Sequence, residues 1–456
     1  MGIKKDKPRE LALKTLVSLD KSGSYTGNYL EDIFSSNPGF DERDRAFISN
    51  LIQGVIRWKL KLDRIIGQFS KTQIKKIDPV ILNILRLALY QILFLDRVPE
   101  SAAVDVAVEQ TKAQKGHQHI VSFVNGILRN ICRNKSNITF PEKSKFPVKY
   151  LSGYYSFPLW LAERCIDEFG TDFSEALFSA QNSFPHLNIR TNRLKTDRDN
   201  LIKILGDEGI EGVPAEYSPE CIILTNFNGR IERLSAFKKG LFQVQDQAAQ
   251  IVSFLLDLQP GEEILDVCAG LGGKTSHIYE LIKGEGTVTA LDNDKKRLFN
   301  LRENAKRLGI SGIKTVTADA SSPISSVLKQ PYDRILIDAP CSGLGTIGRH
   351  PDIKWNRTEP DIKRISRIQK KILENSAAVV KSGGFILYAV CTYTREENKT
   401  VIDNFLTRAK DFSLVNLKEK IPEWGSNLID NDGFLRSYPQ KHNMDGFFAA
   451  LLKKEK

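Results

Sequence analysis

From Gly240 to the carboxyl end, short apolar runs alternate with helix-like stretches, and this alternation limits the fold more than any other feature. The strand candidates are EILDVCA, TVTALD, KTVTA, RILID and FILYAVC. Between them lie the helix candidates KTSHIYELIK, KKRLFNLRENAKRLG, SSVLKQ and IKRISRIQKKILENSAAVVK. Five strands joined by helical crossovers predict a parallel, doubly wound sheet, because each connection must return over one face. SLVNLKEK and GFFAALLKK can add two strands, one of them antiparallel. Ligands of such sheets bind outside the carboxyl ends of the strands, near the point where strand order reverses.

The first strand runs into Asp266, Val267, Cys268, Ala269, Gly270, Leu271, Gly272, Gly273, Lys274 and Thr275. The glycines let the backbone approach a ligand while turning into a helix. Their spacing is not that of the phosphate-cradling GxxxxGK[ST] loop, and a glycine turn alone is weak evidence. Asp292 adds weight: it ends the second strand nineteen residues past Gly273, which suits a ribose diol. Asp319, ending the third strand, can reach the adenine end of a nucleoside. The ligand therefore reads as a nucleoside, either a dinucleotide or S-adenosylmethionine. The plainer alternative is that both acids only cap the helices that follow.

Six cysteines (Cys132, Cys165, Cys221, Cys268, Cys341 and Cys391) are scattered without a CxxC pair, which argues against a zinc site and a disulfide framework. The six histidines form no ligand-spaced cluster, so no metal is expected. A buried apolar role suits Cys132, Cys165 and Cys221, and Cys268 serves the glycine turn through its backbone. Cys341 and Cys391 are different, because both stand at ligand-side strand ends. Amino-group methyltransferases carry Asp-x-Pro-aromatic after strand four; here Cys341 takes the aromatic place, after Asp338 and Pro340. Amino methylation needs no nucleophile, whereas methylating carbon 5 of a pyrimidine does. A thiolate adding to carbon 6 makes an enamine whose carbon 5 can attack a methyl sulfonium. A proton at N3 helps the intermediate, a task for a strand-end carboxyl such as Asp338.

At 456 residues the chain exceeds one core, and two to four domains are expected. The expected bounds are 1–138 for a helical domain, 145–237 for a small α+β domain and 238–456 for the sheet domain. RELALKTLVSLD, DRAFISNLIQGVIRWKLKLDRIIGQF, PVILNILRLALYQILFL, SAAVDVAVEQTKAQ and HIVSFVNGILRNICR repeat apolar residues at helical spacing, with Ser101 as an N-cap. In the middle, HLNIRTN, CIILTN and RIERL read as strands among helices. Residues 1–150 hold 25 Lys+Arg against 15 Asp+Glu; the other 306 residues hold 41 against 40. That asymmetry points to a polyanion partner. No run approaches a membrane span and MGIKKDKPRE lacks a signal core, so a cytoplasmic protein, a monomer with no membrane partner, is expected.

LFQVQDQAAQ, DVCAGLGGKT, LDND, TADAS, DAPCSGLG with RHPDIKW, YAVCT and DGFF follow one another in this order. The order resembles that of RNA cytosine-5 methyltransferases of the Nol/Nop/Sun type. The leading third, with RAFISNLIQGVIRW, LRLALYQILFL and VNGILRN, resembles the NusB-like RNA-binding fold. The combination is similar to the bacterial Sun/Fmu group of 16S ribosomal RNA (cytosine-5) methyltransferases, and the likeness covers nearly the whole chain.

The resemblance implies S-adenosylmethionine as cofactor, held by Cys268 to Lys274, Asp292, Asp319 and Asp338, and RNA as partner. It implies Cys391 as nucleophile, Cys341 as the residue releasing product, and Asp338 bonding the cytosine ring. Two departures stand out: the family's CAAPGGK is CAGLGGK here, and the Thr before the nucleophile is Val390. Arg349, His350 and Trp355, just past Cys341, are candidates for holding its loop. Two other readings are the same chemistry on transfer RNA or another ribosomal site, and a non-enzymatic NusB-like RNA-binding factor.

Overall fold

The computed structural model describes residues 6–22, 29–114, 117–227, 229–328 and 330–455. The chain divides into two compact units, residues 1–183 with 350–358, and residues 184–349 with 359–456.

The first unit is helical throughout. α1 (Lys7–Ser22), α2 (Tyr29–Ser36), α3 (Glu42–Phe69), α4 (Pro79–Phe94), α5 (Glu100–Ala113) and α6 (Gln118–Arg133) enclose one core, in which Leu16, Leu51, Val55, Leu85, Ala88 and Leu128 are buried. Stop signals in the sequence set the ends. Asp78 accepts from the Val80 and Ile81 amides, and Pro79 begins α4 where its missing N–H costs nothing. Asp41 caps α3 through the Asp44 amide. Gly54 is required for packing: a Cβ there would lie 2.0 Å from the Tyr90 ring. The helix expected to start at Ser101 starts earlier, since Pro99 is its cap residue and Ser101 falls in the first turn.

α7 (Pro147–Tyr155), α8 (Leu159–Phe169) and α9 (Thr171–Asn182) complete this unit with a segment from far along the chain, His350–Thr358. Lys354 is buried there, and its Nζ donates to Arg57 O (3.1 Å), Ser156 O (3.2 Å) and Asn182 Oδ1 (2.7 Å). Trp355 Nε1 donates to Ile56 O at 2.8 Å. Lys354 and Trp355 are thus fastened to the helices, and nothing in RHPDIKW marks that placement.

The second unit holds two sheets. β1 (Leu187–Thr191), β2 (Gly212–Pro214), β3 (Cys221–Leu224) and β4 (Phe242–Val244) form an antiparallel sheet in the order β2-β3-β1-β4. RIERL, expected as a strand, is a 3₁₀ turn over Ile231–Arg233. Its apolar residues, Ile231 in that turn and Leu234 just after it, pack on this sheet's core.

The large sheet contains β5 (Glu263–Val267), β6 (Thr287–Asp292), β7 (Ile313–Thr317), β8 (Tyr332–Asp338), β9 (Val380–Val390), β10 (Phe412–Val415), β11 (Leu435–Ser437) and β12 (Phe447–Lys454). Its order is β10-β12-β9-β8-β5-β6-β7, with β11 on β12. β5 to β9 are parallel; β12 runs against both β9 and β10, so of the two late candidates one, β12, is antiparallel, as expected, and β10 keeps the sense of the parallel strands. Of SSVLKQ, Ser325 and Ser326 belong to a 3₁₀ turn over Ile324–Ser326 in place of the expected helix, and Lys329 lies outside the described residues. The chain passes from β5 outward through β6 to β7, then returns to lay β8 on the other side of β5. That reversal places the ends of β5 and β8 side by side.

Candidate active site

β5 ends at Val267, and Cys268 follows with φ +64, a left-handed conformation uncommon outside glycine. Gly272 has φ +80, and a Cβ on it would meet Leu301 Cγ at 2.4 Å. Asp292, buried at the end of β6, fastens this turn: one oxygen accepts from Gly270 N and the other from Asp294 N, both at 2.9 Å. The helix Gly273–Leu281 then begins. Arg190 of β1, fully buried, donates to Gly273 O (2.7 Å) and to Glu280 (2.7 Å), pinning that helix at both ends. Arg190 was not legible as a site residue, because an arginine inside an alternating strand carries no motif.

Lys274 Nζ donates to Asp338 Oδ2 at 2.7 Å, joining the β5 turn to the end of β8. Burial lowers the Lys274 pKa, but Asp338 outweighs it and the ammonium is held above its ordinary value. Burial raises the Cys268 thiol well above its usual range, and the carboxylates of Asp338, Asp292, Asp266 and Asp319 raise it further. Asp292 and Asp338 are therefore both bonded to this turn, through Gly270 and Lys274. A pyrophosphate would be repelled there, whereas a donor carrying a cationic sulfonium and an ammonium fits. A Cβ on Gly270 would meet nothing within 4 Å, so the turn offers open space above its backbone. Asp319 is exposed and accepts from Ser321 N at 2.9 Å, a local turn bond.

Burial pushes Asp266 from 3.8 up to about 7, while Thr275 Oγ1 donates to its Oδ2 at 2.5 Å. Between those pH values the folded chain holds a proton that the unfolded chain has lost. Stability is therefore greatest at the acidic end and falls as pH rises toward 7, by about 4 kcal/mol from this group. Asp266→Asn is expected to remove that decline. Urea unfolding from pH 5 to 8 checks it: an unchanged slope in the variant would assign the pH dependence elsewhere.

β8 and β9 pair in parallel with Asp338 opposite Ala389. Their two loops bring Cys341 Sγ and Cys391 Sγ within 3.2 Å across fifty residues of sequence. The Cys341 thiol is held well above its ordinary range, first by its hydrogen bond to Cys391, then by burial and by the charges of Cys391 and Glu397. The two sulfurs thus share a hydrogen bond, and Cys341 is the one held toward its protonated form. Gly345 N donates to Cys391 O (3.0 Å), and a Cβ on Gly345 would lie 1.9 Å from Gly446 O, so the DGFF stretch closes on the same loop. Arg349 bonds Asp246 (2.6 Å) and Asp445 (3.1 Å), so it does brace this loop. Cys165 and Cys221 are buried as expected, whereas Cys132 is only partly buried.

The model of the 16S rRNA methyltransferase RsmB/F family matches residues 253–453. That of the NusB family matches 6–133, and the RsmF/B-like ferredoxin-like domain matches 157–229. The probable ribosomal RNA small subunit methyltransferase B of Bacillus subtilis is 34% identical over 99% of this chain and 100% of its own. The chain belongs to the RsmB/F family of 16S rRNA methyltransferases. Ribosomal RNA small subunit methyltransferase B of Vibrio vulnificus is 33% identical over 91% of this chain and 92% of its own. Among solved structures, PH0851 superposes with a TM-score of 0.80 at 28% identity, covering all of both chains. A methyltransferase homolog protein from Pyrococcus horikoshii gives 0.59 at 28% identity, covering 69% of this chain and 99% of its own. S-adenosylmethionine is the family's cofactor, in agreement with the acidic turn.

Proposed function

We propose that the chain methylates carbon 5 of a cytosine in 16S ribosomal RNA, in the cytoplasm, through a covalent bond from Cys391 to carbon 6. The observation that carries this reading is the 3.2 Å approach of the two sulfurs at neighbouring strand ends, beside Asp338. Carbon 5 of cytosine is a poor nucleophile. The Cys391 thiolate adds to carbon 6, and the ring electrons move to carbon 5 as an enamine. S-adenosylmethionine, when bound, supplies the methyl group that carbon 5 takes.

Lys274 occupies one oxygen of Asp338, leaving the other for the ring edge of the base. Once its sulfur is bonded to carbon, the Cys391 hydrogen bond and charge that hold the Cys341 thiol high are gone, so Cys341 gives up its proton to solvent more readily. Its thiolate then removes the proton from carbon 5. The freed electron pair re-forms the ring double bond, and the carbon–sulfur bond breaks to return the Cys391 thiolate. Each cysteine thus serves one half of the cycle.

Support for RNA comes from the basic first third. Lys71, Lys75 and Lys76 are exposed between α3 and α4, where phosphate contacts would make binding weaken as salt rises. Bisulfite mapping of ribosomal and transfer RNA from cells with and without the gene tests the proposal. One cytosine in 16S RNA should lose its protection without the gene. Loss in transfer RNA instead would overturn the substrate, and no loss in either RNA would overturn the activity.

A further inference from the structure

Glu397 is fully buried six residues past Cys391, and among the described residues no cation lies within ion-pair distance of it. Burying a carboxylate without a cation is costly unless hydrogen bonds replace its water. Here five donors do so. Oε1 accepts from Ser342 N (2.7 Å) and Gln369 Nε2 (3.2 Å). Oε2 accepts from Ser342 Oγ (2.6 Å), Thr394 Oγ1 (2.7 Å) and Thr392 Oγ1 (3.4 Å).

The placement of these donors is informative. Ser342 directly follows Cys341 and Thr392 directly follows Cys391, and their hydroxyls lie 2.9 Å apart. Gln369 also donates to Pro340 O at 3.0 Å, on the other side of Cys341. One carboxylate therefore grips the residues next to both sulfurs. A stabilising core group could sit anywhere; this one sits at a junction of the two cysteine loops.

The loops do not depend on it equally. Cys391 leaves β9, which is laddered on both sides up to Ala389 opposite Asp338 and Val390 opposite Phe448. Cys341 lies in a loop beyond β8, and Glu397 bonds both the amide and the hydroxyl of the next residue. Loosening Glu397 frees Cys341 far more than Cys391.

We propose that Glu397 is a positioning residue that holds Cys341 against the Cys391-bound base, so that it governs release of the methylated product more than formation of the adduct. This rests on the covalent reading above. The charge of Glu397 is also one of the influences that keep the Cys341 thiol high, after the Cys391 contact and burial.

Glu397→Gln keeps the side-chain volume while removing the charge and turning one acceptor into a donor. Methylation turnover should fall roughly 10- to 100-fold, the scale of a misplaced reacting group. The KM for RNA and the S-adenosylmethionine affinity should stay within about twofold, since neither ligand touches Glu397 in this scheme. A covalent RNA–protein band that survives denaturing gels should accumulate, as a weaker copy of Cys341→Ala. In a Cys391→Ser background, the pH midpoint for alkylation of Cys341, followed by peptide mass spectrometry, should fall when Glu397→Gln is added. Ser342→Ala, a smaller change that keeps the carboxylate, should show the same band at lower yield.

A drop in turnover with no adduct in either variant and an unmoved alkylation midpoint would make Glu397 purely structural and overturn the inference. If Cys341→Ala itself gave no adduct, the covalent reading would fail first, so the two failures are distinguishable.

Discussion

Cys391→Ala is expected to lower methyl transfer to cytosine by about 10⁴-fold or more, the scale on which losing a covalent nucleophile is felt. The physical reason is that no other group at the site can make carbon 5 nucleophilic. Asp338 is engaged with Lys274, and burial keeps Cys341 toward its protonated form. The alanine leaves the end of β9 paired on both sides, so the fold and the affinity for S-adenosylmethionine should survive. Tritium transfer from labelled donor to RNA measures the loss, and calorimetry with the donor confirms an intact cofactor site. Full activity in this variant would remove the nucleophile assignment and everything built on it.

Cys341→Ala should fail at the other end of the cycle. The Cys391 sulfur can still add to carbon 6 and carbon 5 can still be methylated, but the proton on carbon 5 then has no positioned base. Losing such a base costs roughly 10²- to 10⁴-fold. The protein should therefore remain joined to its RNA, appearing as a retarded band on denaturing gels after one turnover. The double variant Cys341→Ala, Cys391→Ala should show no band, because the bond it reports is never made. Normal turnover by Cys341→Ala, without a band, would show that water or another group does the release.

The two departures from the family pattern are accommodated differently. Val390 is fully buried opposite Phe448, so a hydroxyl there would have needed a partner within the core. Hydroxyls near the sulfurs come instead from Ser342 and Thr392, both bonded to Glu397. Leu271 is 59% exposed at the turn, so an apolar side chain stands in open space where the family has proline. Gly270 beside it has φ +56 with no atom within 4 Å of a Cβ.

Much of the chemistry was readable along the chain, since a strand end is announced locally by an apolar run that stops. Asp292, Asp338 and Cys391 each close such a run, Cys341 follows three residues after one, and the glycine turn announces itself by spacing. Helical periodicity likewise marked the first unit, because its faces bury every third or fourth residue. Short elements were less legible: RIERL and the start of SSVLKQ each fall in a single 3₁₀ turn, too brief for periodicity to separate from strand or helix.

What the sequence by itself determined was the inventory of reactive groups and the strand ends that carry them. Only the tertiary structure decided which of them meet. Strand order sets β8 between β5 and β9, and this brings Lys274 to Asp338 and Cys341 to Cys391. It also decided the parts of Glu397, Arg190 and Lys354, three buried ionisable side chains whose partners lie on other elements. A hydrogen bond of that kind depends on distance in space, and a one-dimensional pattern holds no record of it.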